Sequence, residues 1–264
     1  RLRAVRSTAR GWRPMSLAGK VCVVTGGGRG IGQAVGRHFH AAGATVAVWD
    51  VDAQVASGAA AALDGSAHAC DVSSRPAVES AAAATLARHG RIDVLVNNAG
   101  VAIAGPSETY SDADWDTSIG IMQTGVFLCS QAVGRHMLQR GTGVIVNISS
   151  INAWDAFPMR LAYCAAKAAV VAMTEVLAIE WAGRGVRVNA VAPGVTRTAL
   201  VQRGIDEGVI DVERYHTRTP MHRFGEPDEI ARAVAFLADD EDSSFVTGTT
   251  LRVDGGWSAQ GWIV

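Results

Sequence analysis

The chain has 264 residues, 48% hydrophobic and 19% charged, with a formal net charge of −1. That length can bury a full core without a disulfide or metal staple, and the near-neutral charge offers no field for nucleic acid or an anionic membrane. Cys22, Cys70, Cys129 and Cys164 are scattered and form no Cys/His cluster with metal spacing; they read as reduced core residues of a cytoplasmic protein with no metal site.

Residues 1–16 read as a basic tail. Arg1, Arg3, Arg6, Arg10 and Arg13 occur with no acid before Asp50. Three readings stay open: a disordered tail or sequence upstream of a start at Met15, an organelle targeting peptide, and a nucleic-acid arm. From residue 17 onward the pattern is that of one domain. Short, mostly apolar runs lie at Val21–Thr25, Thr45–Trp49, His68–Cys70, Ile92–Val96, Val144–Ile148, Arg187–Val191 and Thr250–Val253. Strands buried on both faces look like this. Helical segments are expected near 31–42, 52–63, 75–89, 111–139, 161–183 and 226–238. No apolar run is expected to reach the roughly 18 residues of a membrane helix. The alternation predicts an α/β, doubly wound, mostly parallel seven-stranded sheet. Residues 195–225 break the rhythm and read as an irregular substrate lid.

The first strand runs into Thr25-Gly26-Gly27-Gly28-Arg29-Gly30-Ile31-Gly32. Glycines let backbone approach a pyrophosphate, and the helix opening there aims free N–H groups and its positive dipole end at the phosphates. The second strand ends at Asp50. A carboxylate there accepts from ribose hydroxyls and repels a 2′-phosphate, which favours NAD over NADP. Arg29 is the counter-signal, and a helix-capping role is the plain alternative for Asp50.

Tyr163 and Lys167 lie four apart in an Ala-rich helical stretch and share a face. A phenol is a poor base at neutral pH, but a nearby ammonium and a bound oxidised nicotinamide both stabilise phenolate. Ser150 lies thirteen residues upstream, at the carboxyl end of the fifth strand, where open α/β sheets bind ligands; its hydroxyl can hold a substrate oxygen. Ser149 is the neighbour that could be mistaken for it.

Together these residues make the chain resemble the short-chain dehydrogenase/reductase family over roughly residues 17–258. The resemblance rests on Thr25-Gly26-x-x-x-Gly30-x-Gly32, Asp71, Asn97-Asn98-Ala99-Gly100, Ser150, Tyr163-x-x-x-Lys167 and Pro193-Gly194. It implies a single three-layer Rossmann domain with Ser150, Tyr163 and Lys167 catalytic. It further implies Asp71 and Val72 near adenine, Asn98, Ala99 and Gly100 near the adenosine ribose, and Tyr163 and Lys167 on the nicotinamide ribose. Val195 and Thr196, after Pro193-Gly194, would hold the carboxamide, with Thr198 close by. It also implies a homotetramer, or a homodimer, packed through the helices near 111–139 and 161–183, with Gly255–Val264 near a subunit contact.

One position departs from the pattern. Met122, followed by Gln123, stands where the family has an asparagine that supports a helix distortion in its proton relay. The expected activity is NAD(H)-dependent interconversion of a secondary alcohol and a ketone, on a small-molecule substrate, with no nucleic-acid or membrane partner. The alternative is a catalytically weak, dinucleotide-binding redox sensor, supported only by Met122. Expected substrate contacts are Ser150, Trp154, Phe157 and Arg160, with Met159, Trp257 and Trp262 as further walls and Asp155 and His216 as further polar groups. Aromatic walls suit a cyclic or apolar alcohol, and the polar groups suit a polyol, a sugar or an acid.

Overall fold

The computed structural model describes residues 15–261; the arginines of residues 1–14 and Trp262 lie outside the described residues. Seven strands form one sheet: β1 (Val21–Thr25), β2 (Thr45–Asp50), β3 (Ser66–Ala69), β4 (Val94–Asn97), β5 (Gly143–Ile148), β6 (Val186–Pro193) and β7 (Thr250–Val253). Their order is β3-β2-β1-β4-β5-β6-β7. Every pairing is parallel, so the expected mostly parallel sheet is wholly parallel among the described residues.

Successive strand residues alternate between two cores. Val24, Val48, Val96 and Val146 face one cluster, together with Val35, Phe39 and Ile230. Val23, Ala47, Leu95 and Ile145 face the other, with Val78, Val133 and Met137. The helices on the first face are α1 (Gly30–Ala41), α2 (Ala53–Ala61) and α9 (Pro227–Ala238); on the second they are α3 (Arg75–His89), α5 (Gly125–Arg140) and α6 (Leu161–Ala182). Burial on both faces explains why the strands carry little polar alternation.

Several expectations change in the structure. The tail boundary moves toward the N-terminus: Met15 packs on the core, and the Ser16 amide donates to Asp239 Oδ2 at 3.1 Å. The single helix expected over 111–139 is broken into α4 (Asp112–Ile119), a π-helical turn at Gly120–Thr124, and α5. The lid at 195–225 is not irregular. It contains α7 (Ala199–Asp206) and α8 (Val212–Arg218), whose amides are capped by Thr198 Oγ1 at 3.3 Å and Asp211 Oδ1 at 3.1 Å. The expectation on membrane-length runs is also corrected, since α6 is long and apolar enough, by length and composition, to cross a membrane. Its charges at Lys167, Glu175 and Glu180 interrupt the run in sequence. Its Ala162, Ala166, Val170, Thr174 and Ala178 are buried, spaced as one helical face.

Candidate active site

The chain order reverses between β1 and β4, which lie side by side. Ligands of open α/β sheets bind at such a switch point, beyond the carboxyl ends of the strands. The glycine turn leaves β1 there and the Asn97–Gly100 segment leaves β4. They touch: a Cβ on Gly26, whose φ is +58°, would stand 2.9 Å from Ala99 Cα. Gly32 is required for a different contact, because a Cβ there would stand 2.3 Å from the Gly26 carbonyl oxygen.

Polar side chains fasten this junction. Thr25 Oγ1 accepts from the Asn98 and Ala99 amides at 3.0 and 3.1 Å. Asn98 Nδ2 donates to the carbonyls of Thr25 and Gly26, both at 3.0 Å. The Asn98 side chain therefore shapes the turn. No side chain caps α1, and its first turn holds no acid, so its leading amides are free for an anion. These residues fit a dinucleotide pyrophosphate.

At the end of β2, Asp50 Oδ2 accepts from the Gly28 amide at 3.1 Å and Oδ1 from the Asp52 amide at 3.2 Å. The capping role belongs to Asp52 instead, which accepts from Gln54 and Val55 at the start of α2. Asp52 also binds the Arg29 guanidinium at 3.2 Å, so the cation that could hold a 2′-phosphate is already paired. Asp71 is engaged locally, accepting from the Ser73 amide and hydroxyl at 2.9 and 2.7 Å. Val72 is buried against Gly125, where a Cβ would stand 2.8 Å from its Cγ2. From the other side of the cleft, Gly194 donates to Val253 O at 2.9 Å, and Thr196 Oγ1 to Gly194 O at 3.0 Å. Val195 O accepts from Gly225 N at 2.9 Å. Thr198 Cγ2 lies 3.4 Å from where a Gly30 Cβ would be, which brings the segment after β6 onto the glycine turn.

Beyond β5 the two serines separate by role. Ser149 Oγ donates to the Lys167 carbonyl at 2.9 Å and so staples α6 to the sheet. Ser150 begins a short 3-10 turn, Ile151–Ala153, with its Oγ donating to Asn152 Oδ1 and accepting from the Asn152 amide, both at 3.2 Å. Burial pushes the Tyr163 phenol above its ordinary pKa, against the lowering pull of the Ser150 hydroxyl and the Arg160 charge. Lys167 Nζ donates to the Ile148 carbonyl at 2.8 Å and lies 5.7 Å from the centre of the Tyr163 ring. Burial lowers its ammonium to about 8. Tyr163, Ser150 and Lys167 thus converge at the carboxyl end of β5. Within the protein itself, desolvation of the phenol outweighs the groups that favour phenolate.

The π-turn at Gly120–Thr124 packs against α6. Met122 within it is fully buried, with its Cγ 3.7 Å from where a Gly100 Cβ would be. The helix distortion expected of an asparagine is therefore present with methionine at its centre.

The expected substrate walls divide. Phe157 packs with Trp257 (ring centres 5.5 Å apart) and Tyr215 (6.4 Å). Trp154 stands apart, 44% exposed, under the Arg252 guanidinium at 4.5 Å. Met159 is exposed at the surface, with a φ of +63°. Arg160 precedes α6 and makes no ion pair among the described residues. Asp155 Oδ2 and His216 Nε2 are shut off from solvent without a hydrogen-bond partner among the described residues.

Sequence reading missed Tyr215, which stacks 5.9 Å from Trp257. It also missed a buried polar chain. Asn97 Nδ2 donates to Asn147 Oδ1 at 2.8 Å and to Ser130 Oγ at 3.0 Å, and Asn147 Nδ2 donates to Thr174 Oγ1 at 2.9 Å. The signal was an asparagine in each of two otherwise apolar strands; the two are register partners.

The chain is similar to known proteins over most of its length. A family profile described as Enoyl-(Acyl carrier protein) reductase matches residues 26–258. The D-threitol dehydrogenase of Mycolicibacterium smegmatis is 44% identical over 247 residues, covering 92% of this chain and 94% of its own. A 3-oxoacyl-(acyl-carrier-protein) reductase of Thermotoga maritima is 37% identical over 247 residues, covering 92% and 99%. The crystal structure of a 3-ketoacyl-(acyl-carrier-protein) reductase from Brucella melitensis, complexed with NADH, is similar with a TM-score of 0.86 at 34% identity. The match covers 92% of this chain and 100% of that one.

Proposed function

The chain belongs to the short-chain dehydrogenase/reductase family, and from that premise we propose that this oxidoreductase interconverts a secondary alcohol and a ketone with NAD(H). The observation that carries the reading is the convergence of Ser150, Tyr163 and Lys167 at the carboxyl end of β5, two strands from β1 and the free amides of α1, which follows it. The glycine turn, Asp50, Val72, Asn98–Gly100 and the 193–198 segment would hold a nicotinamide dinucleotide, which would supply the hydride acceptor or donor. In oxidation Ser150 holds the alcohol oxygen by hydrogen bond and the Tyr163 phenolate takes its proton. In reduction the Tyr163 phenol returns that proton. Lys167, a charged neighbour below about pH 8, favours the phenolate that burial disfavours.

NAD is favoured over NADP because the Asp50 carboxylate is fixed at the turn by two amides while Arg29 is tied to Asp52. A homotetramer, or a homodimer, is supported by apolar side chains left outside on α5 and α6: Phe127, Val176 and Ile179, the last 82% exposed. Met122 does not favour a catalytically weak redox sensor, because the backbone distortion at its position persists.

The test is absorbance at 340 nm across a panel of secondary alcohols with NAD and, separately, NADP. NADH should form with at least one alcohol, with kcat/KM for NAD roughly 10-fold or more above NADP. A clear NADP preference would overturn the cofactor reading. Absence of turnover throughout, with tight NADH binding, would favour the sensor.

A further inference from the structure

Three consecutive residues at the end of β5 are tied to α6. Asn147 Nδ2 donates to Thr174 Oγ1 at 2.9 Å, the Ile148 carbonyl accepts from Lys167 Nζ at 2.8 Å, and Ser149 Oγ donates to the Lys167 carbonyl at 2.9 Å. Thr174 uses its hydroxyl twice, since it also donates to the Val170 carbonyl at 2.7 Å. On its other side Asn147 Oδ1 accepts from Asn97 Nδ2 at 2.8 Å, and that same amide donates to Ser130 Oγ on α5 at 3.0 Å. Asn97 precedes Asn98, whose side chain shapes the glycine turn. One line of polar groups therefore runs from the dinucleotide side to the helix that carries Tyr163 and Lys167. It is closed to solvent: Asn97, Ser130, Asn147 and Thr174 are each 3% exposed or less. The proposed reaction uses none of these four.

The buried face of α6 consists of Ala162, Ala166, Lys167, Val170, Thr174 and Ala178. Small side chains pack closely but offer no large knob to fix the helix along a strand. Directional hydrogen bonds do fix it, and setting register is the best-attested use of buried polar groups. The two ties at Lys167 hold α6 at one point, about which it could pivot. Thr174 lies seven residues farther on, about two turns, and supplies a second point. We infer that Asn147 and Thr174 are positioning residues for the reaction: they hold α6 on β5 so that Tyr163 and Lys167 stay aligned with Ser150. This rests on the reading of those three as the reacting groups of a secondary-alcohol oxidoreductase. Misplacing a reacting group by about 1 Å costs roughly 100-fold in rate, so a small shift of α6 is enough.

Two substitutions at one position separate hydrogen bonding from packing. Thr174→Val keeps the volume and loses the hydroxyl, and Thr174→Ser does the reverse. Each is assayed at 340 nm with NAD and one alcohol that the wild type oxidises. Thr174→Val should lower kcat roughly 10- to 100-fold with KM for NAD within about 3-fold, whereas Thr174→Ser should keep kcat within about 3-fold of the wild type. A role in packing alone reverses this order, because serine leaves a methyl-sized gap and valine does not. Thr174→Val also strands the Asn147 Nδ2 donor, which lowers stability. The double variant Asn147→Leu/Thr174→Val replaces both partners by apolar groups of similar size, so it should regain much of the lost melting temperature while kcat stays low. Recovery of kcat together with melting temperature would assign the pair to stability alone and overturn the inference. So would a Thr174→Val enzyme within about 3-fold of the wild type, or a Thr174→Ser enzyme as slow as Thr174→Val. In each case the secondary-alcohol reading stands. No turnover of any secondary alcohol by the wild type removes both.

Discussion

The two sides of the cleft are built differently. On the dinucleotide side, at the ends of β1, β2 and β4, the polar side chains are largely satisfied by the protein's own groups, mostly backbone. Thr25 and Asn98 bind turn backbone, Asp50 binds Gly28, and Asp52 binds Arg29. On the side proposed to hold the substrate, past β5 and β6, Asp155 Oδ2 and His216 Nε2 have no hydrogen-bond partner among the described residues and Trp154 lies at the surface. A surface that recognises a common ligand can be fixed in advance by its own hydrogen bonds. One that distinguishes substrates keeps groups whose partners come from the ligand.

The contrast can be broken at specific residues. The largest effect is expected at Tyr163. Tyr163→Phe removes the proton acceptor and keeps the ring, so turnover should fall roughly 10³-fold or more, while NADH affinity, measured by fluorescence titration, should change by less than about 3-fold. Next is Lys167. Lys167→Met should lower kcat by roughly 10²-fold and yet stabilise the fold. The buried ammonium is displaced from 10.5 to about 8, a cost lessened by its bond to the Ile148 carbonyl. We expect a gain of about 1–2 kcal/mol by denaturant unfolding at pH 7. The sign sets the pH window. Between about pH 8 and 10.5 the folded chain has already released this proton and the unfolded chain has not, so wild-type stability gains relative to Lys167→Met as pH rises, and the gap narrows. A gap that widens would contradict buried-ammonium strain.

A smaller shift is expected at the dinucleotide side. Asp50→Ala should cut the NAD-to-NADP ratio of kcat/KM by roughly 10-fold, read from initial rates with each cofactor. The smallest effect is expected at Met122. Met122→Asn should change kcat by less than about 3-fold, because the π-turn that an asparagine would support already exists. A large gain would show that the natural chain lacks part of its proton relay.

The same contrast governs how much could be read from the sequence. The sheet and the dinucleotide side were legible because they rest on backbone geometry that few residues satisfy. Only glycine tolerates the Gly26 and Gly32 approaches, and an acid at the end of β2 has few alternatives. The pairing of Asp50 with the turn, rather than with α2, was not legible, because Asp50 and Asp52 both precede a helix. The lid helices escaped notice because their caps, Thr198 and Asp211, sit in polar runs without a long apolar stripe. The break at Gly120–Thr124 left no mark in helical periodicity, since a π-turn adds one residue to a turn without changing composition. Tyr215 could not be placed, because its partners Phe157 and Trp257 come from distant segments.

The most direct measurement is the pH dependence of kcat/KM in both directions, for one alcohol and its ketone. Oxidation requires the Tyr163 phenolate and reduction the phenol. Oxidation should therefore rise with pH, and reduction fall, through one shared ionisation that disappears in Tyr163→Phe. Profiles that are flat, or that survive unchanged in Tyr163→Phe, would contradict the assignment of Tyr163 as the acid and base.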